Sequence, residues 1–302
     1  MIPFLKLIRS KNLFMVLLTM VLTKYALISS YLSQTSLTNL EFILLSLSVL
    51  LITAGGYIIN DIFDIEVDKI NKPEKVIVSD SISLKNAWIY YFMLSSIGLL
   101  LGIYLSFEKQ LNFFSLYFIV AIILLFLYSR FLKRLPLIGN LTISLLVSLS
   151  IFLIYAFDNS VLNFKSDGLN SLFLTVIIFY YLLFSFFSTL VRELIKDIED
   201  VNGDNALKMK TIPVILGIKR TRNIVIGISF LILFFLFLVF KESFLSEEYE
   251  LSLIILIESI LFLGLIYKLW NAQTKKEFHF LSNFMKVIML VGILSMTLFK
   301  FT

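Results

Sequence analysis

The chain contains nine apolar stretches of roughly 20 residues, each long enough to cross a bilayer as a helix. A segment inside a bilayer must satisfy its own backbone hydrogen bonds, which a helix does. The sequence therefore predicts an all-α, polytopic membrane protein with nine transmembrane helices around a central cavity. The stretches lie at about 13–32, 40–60, 87–107, 111–128, 138–157, 170–190, 222–240, 251–270 and 280–300.

The composition agrees with a membrane protein. Hydrophobic residues make up 59% of the chain and charged residues 16%, whereas soluble domains contain about 45–50% and about 25%. The longest polar segments cover only about 61–86 and 191–221. We therefore expect one transmembrane domain over residues 1–302, with these two segments as loops that carry its motifs.

The basic residues of the loops predict the orientation. If the N-terminus lies in the cytoplasm, twenty lysine and arginine residues fall on the cytoplasmic side and four on the other. Cytoplasmic loops carry such an excess of basic residues, so we expect a cytoplasmic N-terminus and an active site facing the cytoplasm, in the cell (inner) membrane. Because the basic residues flank spans, the net charge of +5 does not indicate nucleic-acid binding.

Two aspartate triplets share the spacing D-x2-D-x3-D, and both fall on the predicted cytoplasmic side. The first lies in NDIFDIEVD (60–68) and the second in KDIEDVNGD (196–204). On a helix, positions i, i+3 and i+7 lie on one face, where like charges repel each other. Each triplet therefore predicts a bound cation. The aspartates are Asp61, Asp64 and Asp68 in the first triplet, and Asp197, Asp200 and Asp204 in the second.

The ligand types favour magnesium. The chain has no cysteine and one histidine, His279, which we expect to be an interfacial cap. Mg²⁺ prefers oxygen ligands and shares its coordination with substrate phosphates. We expect the six aspartates, with the amide oxygen of Asn60, to hold two or three Mg²⁺ ions around one diphosphate and to be the catalytic residues. The competing interpretation is two solvated acidic helix ends.

Several basic and polar residues near the triplets are candidates for binding substrate. Their charges neutralise phosphate oxygens, although basic residues at span ends also serve as topology determinants. The candidate proton acceptor is either Tyr128 or an aspartate outside the metal shell. The candidates are Arg9, Asn12, Asn60, Lys72, Lys75, Tyr128, Arg130, Lys133, Arg192 and Lys196.

Two lysines fall well inside predicted spans, away from the span ends, where a charge is costly and is often functional. They are Lys24 and Lys286, and Glu258 is a candidate partner for them.

These motifs resemble the UbiA-type superfamily of intramembrane prenyltransferases. The resemblance rests on NDIFDIEVD with the NKP that follows it (71–73), on D-x2-D-x3-D before TIP (211–213), on Arg9 with Asn12, and on YSRFLKR (128–134). It implies an all-helical bundle with a central cavity open to the membrane. It also implies Mg²⁺-dependent transfer of a polyprenyl group from a diphosphate to an acceptor. Lys75-Val76 stands where members often have Arg-Pro.

Within the superfamily, RELIKDIEDVNGD (192–204) most resembles digeranylgeranylglyceryl phosphate synthases and their bacterial relatives. That resemblance implies a geranylgeranyl donor, a prenylated glycerol phosphate as acceptor and an ether lipid as product. An aromatic prenyltransferase of quinone biosynthesis remains an alternative, as does, more remotely, a cation transporter. A transporter is expected to place its charges at mid-membrane, whereas these triplets lie at span ends.

Overall fold

The computed structural model describes residues 2–32, 35–71, 76–158 and 164–300. Within these ranges the chain is helical with short connections, and the only β-type pairing is an isolated bridge between Val78 and Ile82. The all-α prediction is confirmed. The α-helices are α1 (Ile2–Leu7), α2 (Ser10–Leu22), α3 (Ser29–Tyr31), α4 (Asn39–Phe63), α5 (Ile65–Asn71), α6 (Leu84–Glu108), α7 (Ser115–Arg130), α8 (Ile138–Phe157), α9 (Phe164–Ala206), α10 (Ile212–Leu216), α11 (Ile218–Leu245), α12 (Tyr249–Asn271) and α13 (Lys275–Ser295).

Nine helical segments of the described residues are long and apolar enough to cross a membrane, and each overlaps one predicted stretch. The prediction of nine spans is therefore confirmed. The segments are Ser10–Tyr31, Asn39–Phe63, Leu84–Glu108, Asn112–Arg130, Ile138–Phe157, Asn170–Ala206, Ile218–Leu245, Tyr249–Asn271 and Lys275–Phe299. The first is α2 continued through a π-helical turn, Thr23–Ile28, into α3.

The second polar segment differs from the expected loop at 191–221, because it is helical as far as Ala206. The apolar segment Asn170–Ala206 has 37 residues. At about 1.5 Å per residue it is far longer than the hydrocarbon core of a bilayer, roughly 30 Å. Helix α9 is therefore longer than the apolar layer, and its C-terminal turns carry the second triplet.

Close packing of small residues joins α4 to α6. The hydroxyl of Ser48 donates a hydrogen bond of 2.6 Å to the carbonyl oxygen of Gly98. A Cβ at Gly98 would lie 2.8 Å from Cγ1 of Ile52, so only glycine permits this approach. Such contacts between small residues are a common basis of helix association in membranes.

Two apolar clusters support the ends of α4 and α9 that carry the triplets. One packs Ile58 and Ile59 of α4 against Tyr91 of α6. The other packs Val191 and Leu194 of α9 against α11, α12 and α13. Both triplets therefore rest on well-packed helices, although they are far apart in sequence.

Polar contacts order the opposite end of the bundle, where α4 begins. The buried Lys24 Nζ donates to the carbonyl oxygens of Leu37, at 2.7 Å, and Thr38, at 3.1 Å. Lys109 Nζ donates to the carbonyl oxygen of Ser36 at 2.7 Å. Lys24 thus holds the connection before α4, and it lies far from the aspartates at the other end of that helix.

Candidate active site

The second triplet lies on one uninterrupted helix, as its spacing predicts. Asp197, Asp200 and Asp204 all belong to α9. Asp197 Oδ2 accepts a hydrogen bond of 2.8 Å from Asn140 Nδ2, and Asp204 Oδ2 accepts one of 3.1 Å from the Thr211 hydroxyl. Thr211 directly precedes α10, so this contact fixes the chain that follows the motif. Neither Asn140 nor Thr211 was among the sequence candidates.

The first triplet departs from the prediction of a single helical face. Helix α4 ends at Phe63, α5 begins at Ile65, and Asp64 between them has φ −97° and ψ 2°. The backbone N–H of Asp64 still donates to the Asn60 carbonyl oxygen at 2.9 Å. Asp61 thus belongs to α4 and Asp68 to α5. The break redirects the chain towards α9, against which α5 packs.

Lys133 makes an ion pair with the first triplet. Its ammonium group contacts Asp64 Oδ1 and lies 3.2 Å from Asn60 Oδ1. Asn60 in turn donates from Nδ2 to Asp64 Oδ2 at 2.8 Å. Burial lowers the pKa of Lys133, and the adjacent Asp64 carboxylate counteracts that shift. The sequence expectation that Lys133 lies at the motif agrees with this geometry.

Arg9 contacts the other side of the same triplet. Its Nη2 donates to Asp61 Oδ1 at 2.8 Å, and its guanidinium lies 5.0 Å from the ring centroid of Tyr57. Arg9 has φ 50°, a left-handed conformation that separates α1 from α2. Such backbone strain in a non-glycine residue is typical of functional sites. Asn12, the neighbouring candidate, is half-buried and donates its backbone N–H to the Arg9 carbonyl oxygen.

One short segment joins the two triplets. Lys133 contacts Asp64 of the first, and Asn140, seven residues later, contacts Asp197 of the second. The segment turns so tightly that a Cβ at Gly139 would lie 2.8 Å from the Cα of Lys133. These contacts bring both motifs to the same end of the bundle, as the sequence predicted.

The remaining candidates lie in different surroundings. The guanidinium of Arg130 lies 6.0 Å from the ring centroid of Phe63 and 5.1 Å from that of Phe131. Tyr128 is half-buried and within electrostatic reach of both motifs. Lys72 and Lys75 lie outside the described residues.

Arg192 and Lys196 both form ion pairs with Glu193. Arg192 Nη1 lies 2.6 Å from Glu193 Oε1, and Lys196 Nζ lies 3.5 Å from Glu193 Oε2. His279, which was expected to be a cap, has its Nδ1 3.0 Å from Glu199 Oε1.

The oxygen ligands at the two motifs suit a divalent cation that is bound together with a phosphate group. Within the described ranges, no three acidic or histidine side chains come close enough together to bind one ion by themselves. Mg²⁺ needs only one or two carboxylates and completes its coordination with water and phosphate oxygens. Asp64 with the amide of Asn60, and Asp197 across the site, supply oxygens of this kind. The arrangement is therefore suited to a metal–diphosphate complex rather than to a bare ion.

An apolar cavity of about 60 Å³ lies among α2, α8, α9 and α13. Met15, Phe184 and Met289 contribute to its walls. Ser188, which also lines it, precedes Asp197 by nine residues on α9, about 13 Å along the helix axis. The cavity therefore begins a short distance from the second triplet.

Comparison with known proteins identifies relatives along nearly the whole chain. Residues 13–285 match the model of the UbiA prenyltransferase family. A digeranylgeranylglyceryl phosphate synthase of Methanosphaera stadtmanae is 32% identical over 257 residues, which cover 85% of this chain and 87% of the relative. Another, of Methanobrevibacter smithii, is 30% identical over an alignment that covers 99% of this chain and 98% of the relative.

Solved structures have the same fold. One, described as a digeranylgeranylglyceryl phosphate synthase in membranes, has a TM-score of 0.66 at 25% identity, covering 98% of this chain and 96% of its own. A UbiA homolog from Archaeoglobus fulgidus bound to DMAPP and Mg²⁺ has a TM-score of 0.65 at 17% identity, covering 97% and 99%. The second likeness is one of fold alone.

Proposed function

The chain belongs to the UbiA prenyltransferase family, and from this premise we propose that it transfers a geranylgeranyl group from its diphosphate to the hydroxyl of a prenylated glycerol phosphate. It is an intramembrane prenyltransferase, and the proposal concerns its donor, its acceptor and the residues that bind them. The product is an ether lipid. We propose further that residues 1–302 act as a single domain.

The observation that carries the proposal is the joining of the two aspartate motifs by Lys133 and Asn140. Oxygen ligands and cations from distant parts of the chain thereby lie at one end of the bundle, which suits a metal-bound diphosphate. The relatives of Methanosphaera stadtmanae and Methanobrevibacter smithii support the choice of acceptor, because both are named for prenyl transfer to a glyceryl phosphate.

In the proposed reaction, the six aspartates and Asn60 hold the donor diphosphate through two or three Mg²⁺ ions. When bound, Mg²⁺ supplies Lewis-acid stabilisation of the leaving diphosphate. Arg9 and Lys133 add positive charge around the same group, and charge-assisted hydrogen bonds to phosphate are strong. Tyr128 lies within reach of both motifs and is proposed to orient a substrate oxygen.

Bond breaking leaves an allylic cation that water would quench. As the C–O bond of the donor breaks, its electron pair leaves with the diphosphate oxygen, and positive charge spreads over the allylic carbons. The acceptor hydroxyl then forms the new C–O bond, and its proton passes to the departing diphosphate. The apolar walls of the cavity near Ser188 and Phe184 exclude water from this centre.

The proposed location is the cell membrane with both motifs facing the cytoplasm. The support is the distribution of the loop charges, because twenty basic residues fall on the side of the motifs and four on the other. Accessibility labelling of single cysteines tests this orientation, since the chain has none of its own.

The acceptor class is tested by turnover of the purified protein with geranylgeranyl diphosphate and Mg²⁺. Geranylgeranylglyceryl phosphate and an aromatic carboxylic acid are offered in separate reactions, and product formation and diphosphate release are measured. The proposal expects turnover with the glyceryl phosphate. Turnover with the aromatic acid alone would make the protein a quinone-pathway enzyme, and ion flux without diphosphate release would make it a transporter.

A further inference from the structure

A half-buried lysine in the last spanning helix lacks a carboxylate partner. Lys286 belongs to α13, which packs against α9 and α2. Among the described residues, no carboxylate oxygen lies within 4.0 Å of its ammonium group. Glu258, its candidate partner from sequence, lies beside Gly292 instead. A lysine inside a span is costly and is typical of a functional site.

Helix α13 places Lys286 level with Arg192 of α9. His279 Nδ1 of α13 lies 3.0 Å from Glu199 Oε1 of α9, and because the two helices run antiparallel, seven residues further along α13 (Lys286) face seven residues back along α9 (Arg192).

The charges that act on Lys286 include Arg192, Lys196 and Arg9, which are positive, and Glu193. Arg9 is already engaged by Asp61. Arg192 and Lys196 both pair with Glu193, whereas Lys286 pairs with no carboxylate of the described residues, so the cluster contains three cations and one carboxylate. The Nε of Arg192 is buried and makes no hydrogen bond within the described residues. The cluster carries excess positive charge and unused donors, as an anion site requires.

The positions on α9 separate this cluster from the aspartates. Arg192 and Lys196 are four residues apart and lie about 40° from each other around the helix. Asp197, Asp200 and Asp204 lie at about 140°, 80° and 120° from Arg192 on the same scale. The two cations are therefore at one side of the three aspartates around α9, and Asp200 is the aspartate nearest to them. Arg192 is also about 7 Å deeper along the helix than Asp197.

We propose that Arg192, Lys196 and Lys286 bind a phosphate monoester, the phosphate of the acceptor, beside the diphosphate site at the aspartate motifs. This inference rests on the proposed function. A phosphate monoester carries about −1.5 to −2 charges at neutral pH, which balances three cations and one carboxylate. Because this phosphate site lies next to the diphosphate site on α9, the hydroxyl of an acceptor bound there lies towards the reactive carbon of the donor. Lys286 is thereby an acceptor-binding residue.

Kinetics of the Lys286→Gln variant with two acceptors tests the site. The acceptors are geranylgeranylglyceryl phosphate and geranylgeranylglycerol, which differ only in the phosphate. Loss of one charge-assisted contact is expected to raise KM for the phosphorylated acceptor on the order of 10- to 100-fold. The KM for geranylgeranyl diphosphate and kcat/KM with the unphosphorylated acceptor are expected to stay at wild-type values. Lys286→Arg is expected to recover most of the affinity.

The matched control is Lys268→Gln, which removes an exposed lysine of α12 that lies over the Phe280 ring. It is expected to behave as wild type with both acceptors. Lys196→Gln is the second variant if Lys286→Gln does not fold. Equal losses with both acceptors, or a raised KM for the donor, would overturn the proposal, because the cluster would then be structural or part of the diphosphate site.

A direct binding measurement separates this inference from the proposed function. Geranylgeranylglyceryl phosphate is titrated calorimetrically into the purified protein without donor. If the wild type binds this lipid, Lys286→Gln weakens the binding, and the wild type shows no turnover with the lipid, the phosphate site is supported and the proposed reaction is rejected. Equal binding by both proteins, or by neither, would reject the phosphate site.

Discussion

The Nδ2 of Asn140 lies 2.8 Å from Oδ2 of Asp197 and donates a hydrogen bond to it. Asn140 is buried on the first turn of α8, and Asp197 is the first aspartate of the motif on α9. Because Lys133 on the same connecting segment contacts Asp64, this bond completes a link between the two motifs. The position of one aspartate motif relative to the other is therefore fixed by eight consecutive residues, 133–140.

We expect Asn140→Leu to lower kcat by about 10- to 100-fold, the usual effect of removing a residue that orients a metal ligand. The leucine keeps the volume of the side chain but leaves Asp197 without this donor. The measurement is turnover of the purified variant with geranylgeranyl diphosphate. Asn271→Leu, at the exposed end of α12, is the control. Unchanged turnover in Asn140→Leu would show that Asp197 needs no orientation by α8.

Lys133→Met is expected to raise KM for the donor diphosphate by roughly 10- to 100-fold, because a charge-assisted contact contributes about 1.5–3 kcal/mol. Lys133→Arg keeps the charge and is expected to lose less. Lys85→Met, on the exposed start of α6, controls for the loss of a positive charge at the membrane surface. A donor KM equal to that of the wild type in Lys133→Met would remove Lys133 from the diphosphate site.

Gly98→Ala is expected to destabilise the protein by about 1–3 kcal/mol, as overpacking does. The added Cβ would lie 2.8 Å from Cγ1 of Ile52 and 2.9 Å from the backbone oxygen of Ser48. Gly227→Ala is the control, since nothing lies within 4 Å of a Cβ there. Thermal unfolding in detergent compares the two, and equal Tm values would mean that α4 and α6 are not in this close contact.

Lys24→Met is expected to lower the stability by about 1–3 kcal/mol, the cost of leaving a buried acceptor unsatisfied. That acceptor is the carbonyl oxygen of Leu37, since the carbonyl oxygen of Thr38 keeps a hydrogen bond from the Phe42 backbone N–H. Since Lys24 lies at the end of the bundle away from the aspartates, turnover well below Tm is expected to stay at the wild-type rate. A lost activity in a protein of normal Tm would contradict this structural role.

The spans and the second motif could be predicted because both are local properties of the chain. Hydropathy over some 20 residues determines a span, and helical periodicity determines that Asp197, Asp200 and Asp204 share one face. The polar character of the segment after Val191 suggested a loop, but apolar residues such as Leu194 and Ile198 keep it packed and helical.

The break at Asp64 and the contacts of Asn140 could not be predicted in the same way. Asn140 is 57 residues from Asp197, and their contact depends on how α8 packs against α9. No pattern around Asn140 distinguishes it from an ordinary polar residue at a helix start. Lys133 was found because its charge stands close to a span end, whereas a neutral amide gives no such signal. The sequence identifies Lys286 as a charge inside a span, which is energetically costly, but only the fold shows which residues surround it.

The central claim is that both aspartate motifs act on one diphosphate, and diphosphate release by Asp64→Ala and Asp200→Ala tests it most directly. Each purified variant is assayed with Mg²⁺, geranylgeranyl diphosphate and geranylgeranylglyceryl phosphate, with Asp80→Ala, on an exposed turn, as the control. The account predicts that either variant folds and inserts but loses turnover by at least about 100-fold, while the control and wild type release diphosphate equally. Near-wild-type release by either Asp64→Ala or Asp200→Ala would contradict the account.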